Sequence, residues 1–154
     1  MEVTPLAKPA GEWCRHCAVG SGCEIYDSRP QECRDFVCQW LVMPQMPDSM
    51  RPDKIKVLMI TEGANFNLAA YCEPANPLAW RKEPIYGLLK RYAQQGWGAR
   101  SVTVRIGLRM WLITPDEDVD LGIVPANAPV SYVKGADGRI RATVSPPPAA
   151  GPSK

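Results

Sequence analysis

The chain has 154 residues, 45% hydrophobic and 22% charged, with sixteen prolines, twelve glycines and a formal net charge of +2. This balance excludes a wholly disordered polymer and describes roughly one domain able to bury a core. It creates no demand for a polyanionic partner, and no stretch approaches the ~20 apolar residues of a membrane span.

The opening "MEVTPLAKPAGE" lacks the apolar run of a signal peptide and reads as a loose leader. The expectation is a cytoplasmic chain whose thiols stay reduced. Trp13 to Trp40 then holds five of the six cysteines and the only histidine, His16. Residues 1–42 are therefore taken as a Cys-rich metal-binding segment. "MPQMPDSMRPD", residues 43–53, has three prolines and no periodicity, which reads as a connector.

Residues 54–144 read as an α+β body. "KIKVLMITEG" is β-rich, and Val57 to Ile60 suits a strand buried on both faces. "FNLAAYCE" follows as its partner through the turn "EGAN". In "EPIYGLLKRYAQQGWG" the residues Ile85, Leu88, Leu89, Tyr92 and Ala93 form one helical stripe, with Lys90, Arg91 and Gln94 opposite. Pro84 suits the helix start, and Gly96 suits a left-handed cap at its end.

"SVTVRIG" alternates Val102, Val104 and Ile106 against Thr103 and Arg105, a half-buried strand, and "LRMWLIT" is another. "VSYVKGADGRIRATV" has two β-rich arms around "GADG", a hairpin. The expected fold class is α+β: a small antiparallel sheet with one covering helix, preceded by an irregular Cys-rich knuckle. Residues 145–154, "SPPPAAGPSK", read as a disordered Pro-rich tail.

Chemistry concentrates in the spacing Cys14-x2-Cys17-x5-Cys23-x9-Cys33-x4-Cys38. A C-x-x-C pair offers two thiolates from one tight turn, and thiols returning from nearby elements complete a tetrahedron. Gly20 and Gly22 give the backbone freedom to bring Cys23 back. Clustered thiols in a reducing compartment point to metal rather than disulfides. The candidate ligands are Cys14, Cys17, Cys23, Cys33 and Cys38, one more than a tetrahedron needs, and the spare is left open. Arg15, Arg29 and Arg34 lie in the same segment and could donate to sulfur or offset thiolate charge, although for each alone a solvated face is the first expectation. His16, between Cys14 and Cys17, points away from an ion those two share. Cys72 stands alone on a presumed strand and reads as a small core residue.

"GCEIYDSRPQECRDFVC" resembles the signature of the YkgJ-type cysteine-cluster family of zinc- or iron-chelating domains. The resemblance rests on Cys23, Ile25, Tyr26, Arg29, Pro30, Cys33, Arg34, Phe36 and Cys38, with Cys14 and Cys17 upstream. An adjacent cysteine pair usual in that pattern is missing, and the cluster is compressed. The resemblance covers about 30 residues and implies metal binding. Ile25, Tyr26 and Phe36 are expected to pack a small apolar shell over the sulfurs.

Zinc is the expected cofactor, in a structural role that supports an interaction surface, with iron or an iron–sulfur cluster as the alternative. The enzyme alternative is an iron–sulfur redox or modification protein. A hydrolase triad needs a histidine placed beside a nucleophile, and the chain has only His16; no phosphate-binding glycine loop is present. Asp116, Glu117, Asp118 and Asp120 in "DEDVD" are expected to form a solvated turn. Residues 81–109 carry seven basic side chains against Glu83 alone, with Tyr86, Tyr92 and Trp97 interleaved, so nucleic-acid binding stands as a minor alternative. The metal ion is the expected partner, with a protein partner unassigned.

Overall fold

The structure is a computed structural model and describes residues 3–9, 14–18, 21–125, 128–137 and 140–146. The chain divides into two compact units, Met1–Val37 and Cys38–Lys154.

Among the described residues of the first unit, only Val3 is buried. Residues 3–9 close a turn, because Val3 and Lys8 form an isolated antiparallel bridge around the 3-10 turn Thr4–Leu6. Two short strands, β1 (Cys17–Ala18) and β2 (Gly22–Cys23), pair antiparallel. Gly22 has φ of 108°, a conformation that L side chains rarely adopt, so a glycine is required where the chain enters β2. The helix α1 (Gln31–Asp35) begins after Pro30, whose missing N–H is harmless at a helix start.

The second unit carries the sheet. It opens with α2 (Gln39–Val42), a 3-10 turn at Asp48–Met50 and α3 (Pro52–Ile55). The expected connector thus contains regular turns, and Met50 is buried because it joins the core. The strands β3 (Val57–Glu62) and β4 (Asn67–Cys72) follow. Next come α4 (Ile85–Gly96), β5 (Val102–Ile106), β6 (Arg109–Ile113) and β7 (Asp118–Ile123). The hairpin β8 (Val130–Lys134) and β9 (Ile140–Val144) ends the described chain. The fold is α+β, as expected.

The sheet order is β3-β4-β5-β6-β7. Its pairings are antiparallel except β4 with β5, which run parallel in the register Leu68↔Val102 to Tyr71↔Arg105. The reason is the long crossover through α4: a connection of that length can return the chain to the same end of the sheet, whereas a tight hairpin cannot. The expectation of an all-antiparallel sheet misses this one pair.

The helix buries Ile85, Leu89 and Ala93, with Leu88 and Tyr92 partly buried against the same core, so the periodic stripe is the packed face. Its partners are Val57, Met59, Leu68, Ala70, Val102, Val104 and Ile113 from the sheet. Trp80 is 1% exposed and packs its ring 5.8 Å from Trp111 and 6.2 Å from Tyr86. Two local expectations change. The left-handed glycine after the helix is Gly98, with φ of 84°, and Gly96 is the last helical residue. In β3, Val57 and Met59 are buried while Leu58 and Ile60 are only half-buried, since successive side chains point to opposite faces of the sheet and only Val57 and Met59 face the core under the helix.

Met110, Val124 and Ala128 form a second, smaller apolar cluster, with Leu121, Val130 and Val144 against it. It ties the terminal hairpin to β6 and β7. The described part of the tail, Ser145 and Pro146, is exposed, and residues 147–154 lie outside the described residues.

Candidate metal centre

Two features of local backbone geometry organise the thiols of the first unit. The Cys17 amide donates to the Cys14 carbonyl at 3.0 Å, closing the C-x-x-C turn around Arg15 and His16. Cys17 then stands opposite Cys23 in the β1–β2 ladder. Directly opposed residues in an antiparallel pair project to the same face, their Cβ atoms ~5 Å apart. The hairpin therefore returns Cys23 to the C-x-x-C turn, as the glycines suggest; Gly20 itself lies outside the described residues.

Cys33 sits on α1, held by the bond from its amide to the Pro30 carbonyl at 3.1 Å. Cys14, Cys17 and Cys33 are half-buried and Cys23 is exposed. All six cysteines are free thiols. The donor chemistry suits a thiophilic cation, since four thiols lie within one small unit. In position, the set is less advanced: among the described residues, no three His, Cys, Asp or Glu side chains gather closely enough to hold an ion.

Cys38 falls in the second unit, where it is 6% exposed and precedes α2, its carbonyl accepting from the Leu41 amide at 3.0 Å. Cys72 is buried, and its thiol donates to the Asn76 carbonyl at 3.1 Å. Burial pushes the Cys72 thiol above its ordinary pKa, with weaker opposition from backbone hydrogen bonds. It behaves as a core residue.

The arginines of this segment shape the backbone. Arg15 donates to the Leu6 carbonyl and Arg29 to the Tyr26 carbonyl. Arg34 donates to the Arg29 carbonyl at 3.0 Å and to the Asp27 carbonyl. The R-P-x-x-C-R stretch is thus a self-stapled loop, in which Arg34 grips the turn before its own helix. Tyr26 is 60% exposed and carries the Arg29 guanidinium 3.8 Å above its ring, so it is a cation–π platform and not part of an apolar shell. Ile25 and Phe36 are half-buried.

A second cluster, in the other unit, escapes the reading of "DEDVD" as a solvated turn. Asp118 begins β7 with a side chain only 9% exposed. The Lys90 ammonium lies 2.9 Å from its Oδ1 as an ion pair, though without the alignment of a hydrogen bond, and Lys90 donates instead to the Thr114 carbonyl at 2.9 Å. The Tyr86 hydroxyl donates to Oδ2 at 3.1 Å, and Arg81 approaches the same oxygen at 3.4 Å. Asp120 pairs with Arg109, which holds its carboxyl below the usual range. The acids thus face different partners. Arg81, Lys90 and Arg109, three of the basic residues of 81–109, are engaged by β7 carboxylates. Strand alternation through Val119 and Leu121 was the signal that Asp118 and Asp120 belong to a strand.

Among the described residues, no helix is long and apolar enough to cross a membrane. No protein-family model, no curated protein and no solved structure matches the chain.

Proposed function

We propose that the chain is a metal-binding protein of the YkgJ-type cysteine-cluster kind, in which Cys14, Cys17, Cys23 and Cys33 hold a zinc ion. The observation that carries this reading is the poverty of the first unit's core. Among its described residues only Val3 is buried, while four free thiols lie along the same 37-residue unit. A unit of that size cannot be stabilised by apolar burial alone and needs a staple. A structural zinc supplies on the order of 10 kcal/mol of folding free energy, enough to organise such a segment.

In this reading the ion draws Cys14 and Cys33 onto the facing Cys17 and Cys23. Cys38, buried in the second unit, is the spare thiol. The role of the metal is structural, ordering the 14–36 surface for contact with a partner protein.

Chelation tests the role. The proposal expects a strong chelator to collapse chemical-shift dispersion for residues 14–36 while resonances of 57–123 persist. A protein whose shifts are unchanged by chelation, with metal removed, would refute the structural role. Reversible electron uptake by a coloured centre with the fold retained would instead support the iron–sulfur reading.

A further inference from the structure

We infer that Cys17 and Cys23 form an oxidation site: a dithiol that a hydroperoxide closes to a disulfide. The inference deepens the metal reading by assigning two of the proposed ligands a second state, but the geometry behind it does not depend on a metal.

The ladder supplies the first argument. Cys17 is in register with Cys23, and Ala18 with Gly22. The Glu24 amide donates to the His16 carbonyl at 2.9 Å, one position outward. Hydrogen-bonded and non-hydrogen-bonded pairs alternate along an antiparallel ladder, so 17 and 23 are a non-hydrogen-bonded pair, with Cα atoms ~4.5 Å apart. That spacing lies within the ~4.4–6.8 Å range of disulfide-linked residues. The bond can therefore form by side-chain rotation with the hairpin kept.

Exposure supplies the second argument, because Cys14 is also three residues from Cys17. Cys23 is the exposed member of the group, whereas Cys14, Cys17 and Cys33 are half-buried. Oxidant reaches accessible sulfur first, and a sensor cysteine requires a resolving thiol beside it. The Cys23 thiol attacks the peroxide O–O bond, giving a sulfenic acid and releasing one molecule of alcohol or water. The Cys17 sulfur then displaces the sulfenic hydroxyl, which leaves as water with the Cys17 proton. Two electrons pass from the two sulfurs to the peroxide, and the hairpin is left cross-linked. Neither sulfur of a disulfide is a thiolate, so a metal held by this pair is released as the bond forms.

The test uses the full chain, as purified and after chelation, treated with one equivalent of hydrogen peroxide and then alkylated. Cleavage at Arg15 and Glu24 yields residues 16–24, a peptide holding only these two thiols. The expected result is loss of both alkylation sites on that peptide with a mass two hydrogens lower, reversed by dithiothreitol. In Cys17→Ser, dimedone should trap a sulfenic acid on Cys23. A dominant bridge from Cys14 to Cys17, or oxidation scattered over the cysteines, would overturn the inference. A Cys17–Cys23 bond in protein that never contained metal would leave it standing and remove the metal reading alone.

Discussion

Lys90, in the middle of α4, holds its ammonium 2.9 Å from Oδ1 of Asp118, the first residue of the edge strand β7. The pair joins the covering helix to the β7 edge of the sheet, at positions separated by two strands in sequence. Tyr86 and Arg81 converge on the same carboxylate. Asp118→Asn should destabilise the second unit by about 1–3 kcal/mol. This is less than the ~3–5 kcal/mol for breaking a wholly buried pair, because Lys90 keeps 18% exposure. Urea unfolding checks it. A double-mutant cycle with Lys90→Met should show non-additivity.

Packing under the helix sets the next expectation. Leu89 is fully buried at the centre of the stripe, and Leu78 is 63% exposed. Leu89→Ala should cost about 2–5 kcal/mol, combining lost transfer energy with a cavity. Leu78→Ala should stay within about 0.5 kcal/mol. Equal effects in thermal denaturation would contradict the assigned core.

Tyr71 gives a pH-dependent signature. Its hydroxyl donates to Glu62 at 2.6 Å, and burial together with that carboxylate raises its pKa from 10.0 to about 12. Because the folded value is the higher one, the folded protein holds the phenol proton more tightly than the unfolded chain. The resulting stability is complete below pH 10 and is lost as the pH rises through about 12. Absorbance titration at phenolate wavelengths should show this late step, and Tyr71→Phe should remove it.

The helix stripe and the terminal hairpin were legible because each rests on local spacing: 3.6-residue periodicity from Ile85 to Ala93, and β-rich arms about "GADG". The parallel β4–β5 pair was not, although strand–helix–strand order hints at it, because pairing sense depends on where the crossover delivers the chain. Asp118 read as a turn residue because its burial is set by Lys90 and Arg81, both distant in sequence. Among the cysteines, the five-thiol spacing marks the segment. It does not reveal that the division between units falls just before Cys38, nor that Arg15, Arg29 and Arg34 spend their donors on carbonyls.

Single-thiol substitutions separate ligands from bystanders. Cys14→Ser and Cys33→Ser should lower bound zinc severalfold, since a serine hydroxyl stays protonated and is a poor zinc ligand. Cys38→Ser and Cys72→Ser should leave zinc content unchanged, their side chains being buried in the second unit. Elemental analysis of the four variants in parallel checks the partition.

Metal stoichiometry of anaerobically purified, folded wild-type protein tests the central claim most directly. The account predicts a colourless protein with about one zinc per chain, and four thiols that resist alkylation until the zinc is chelated. A folded chain carrying neither zinc nor iron, with all the thiols of its first unit alkylated at once, would contradict it.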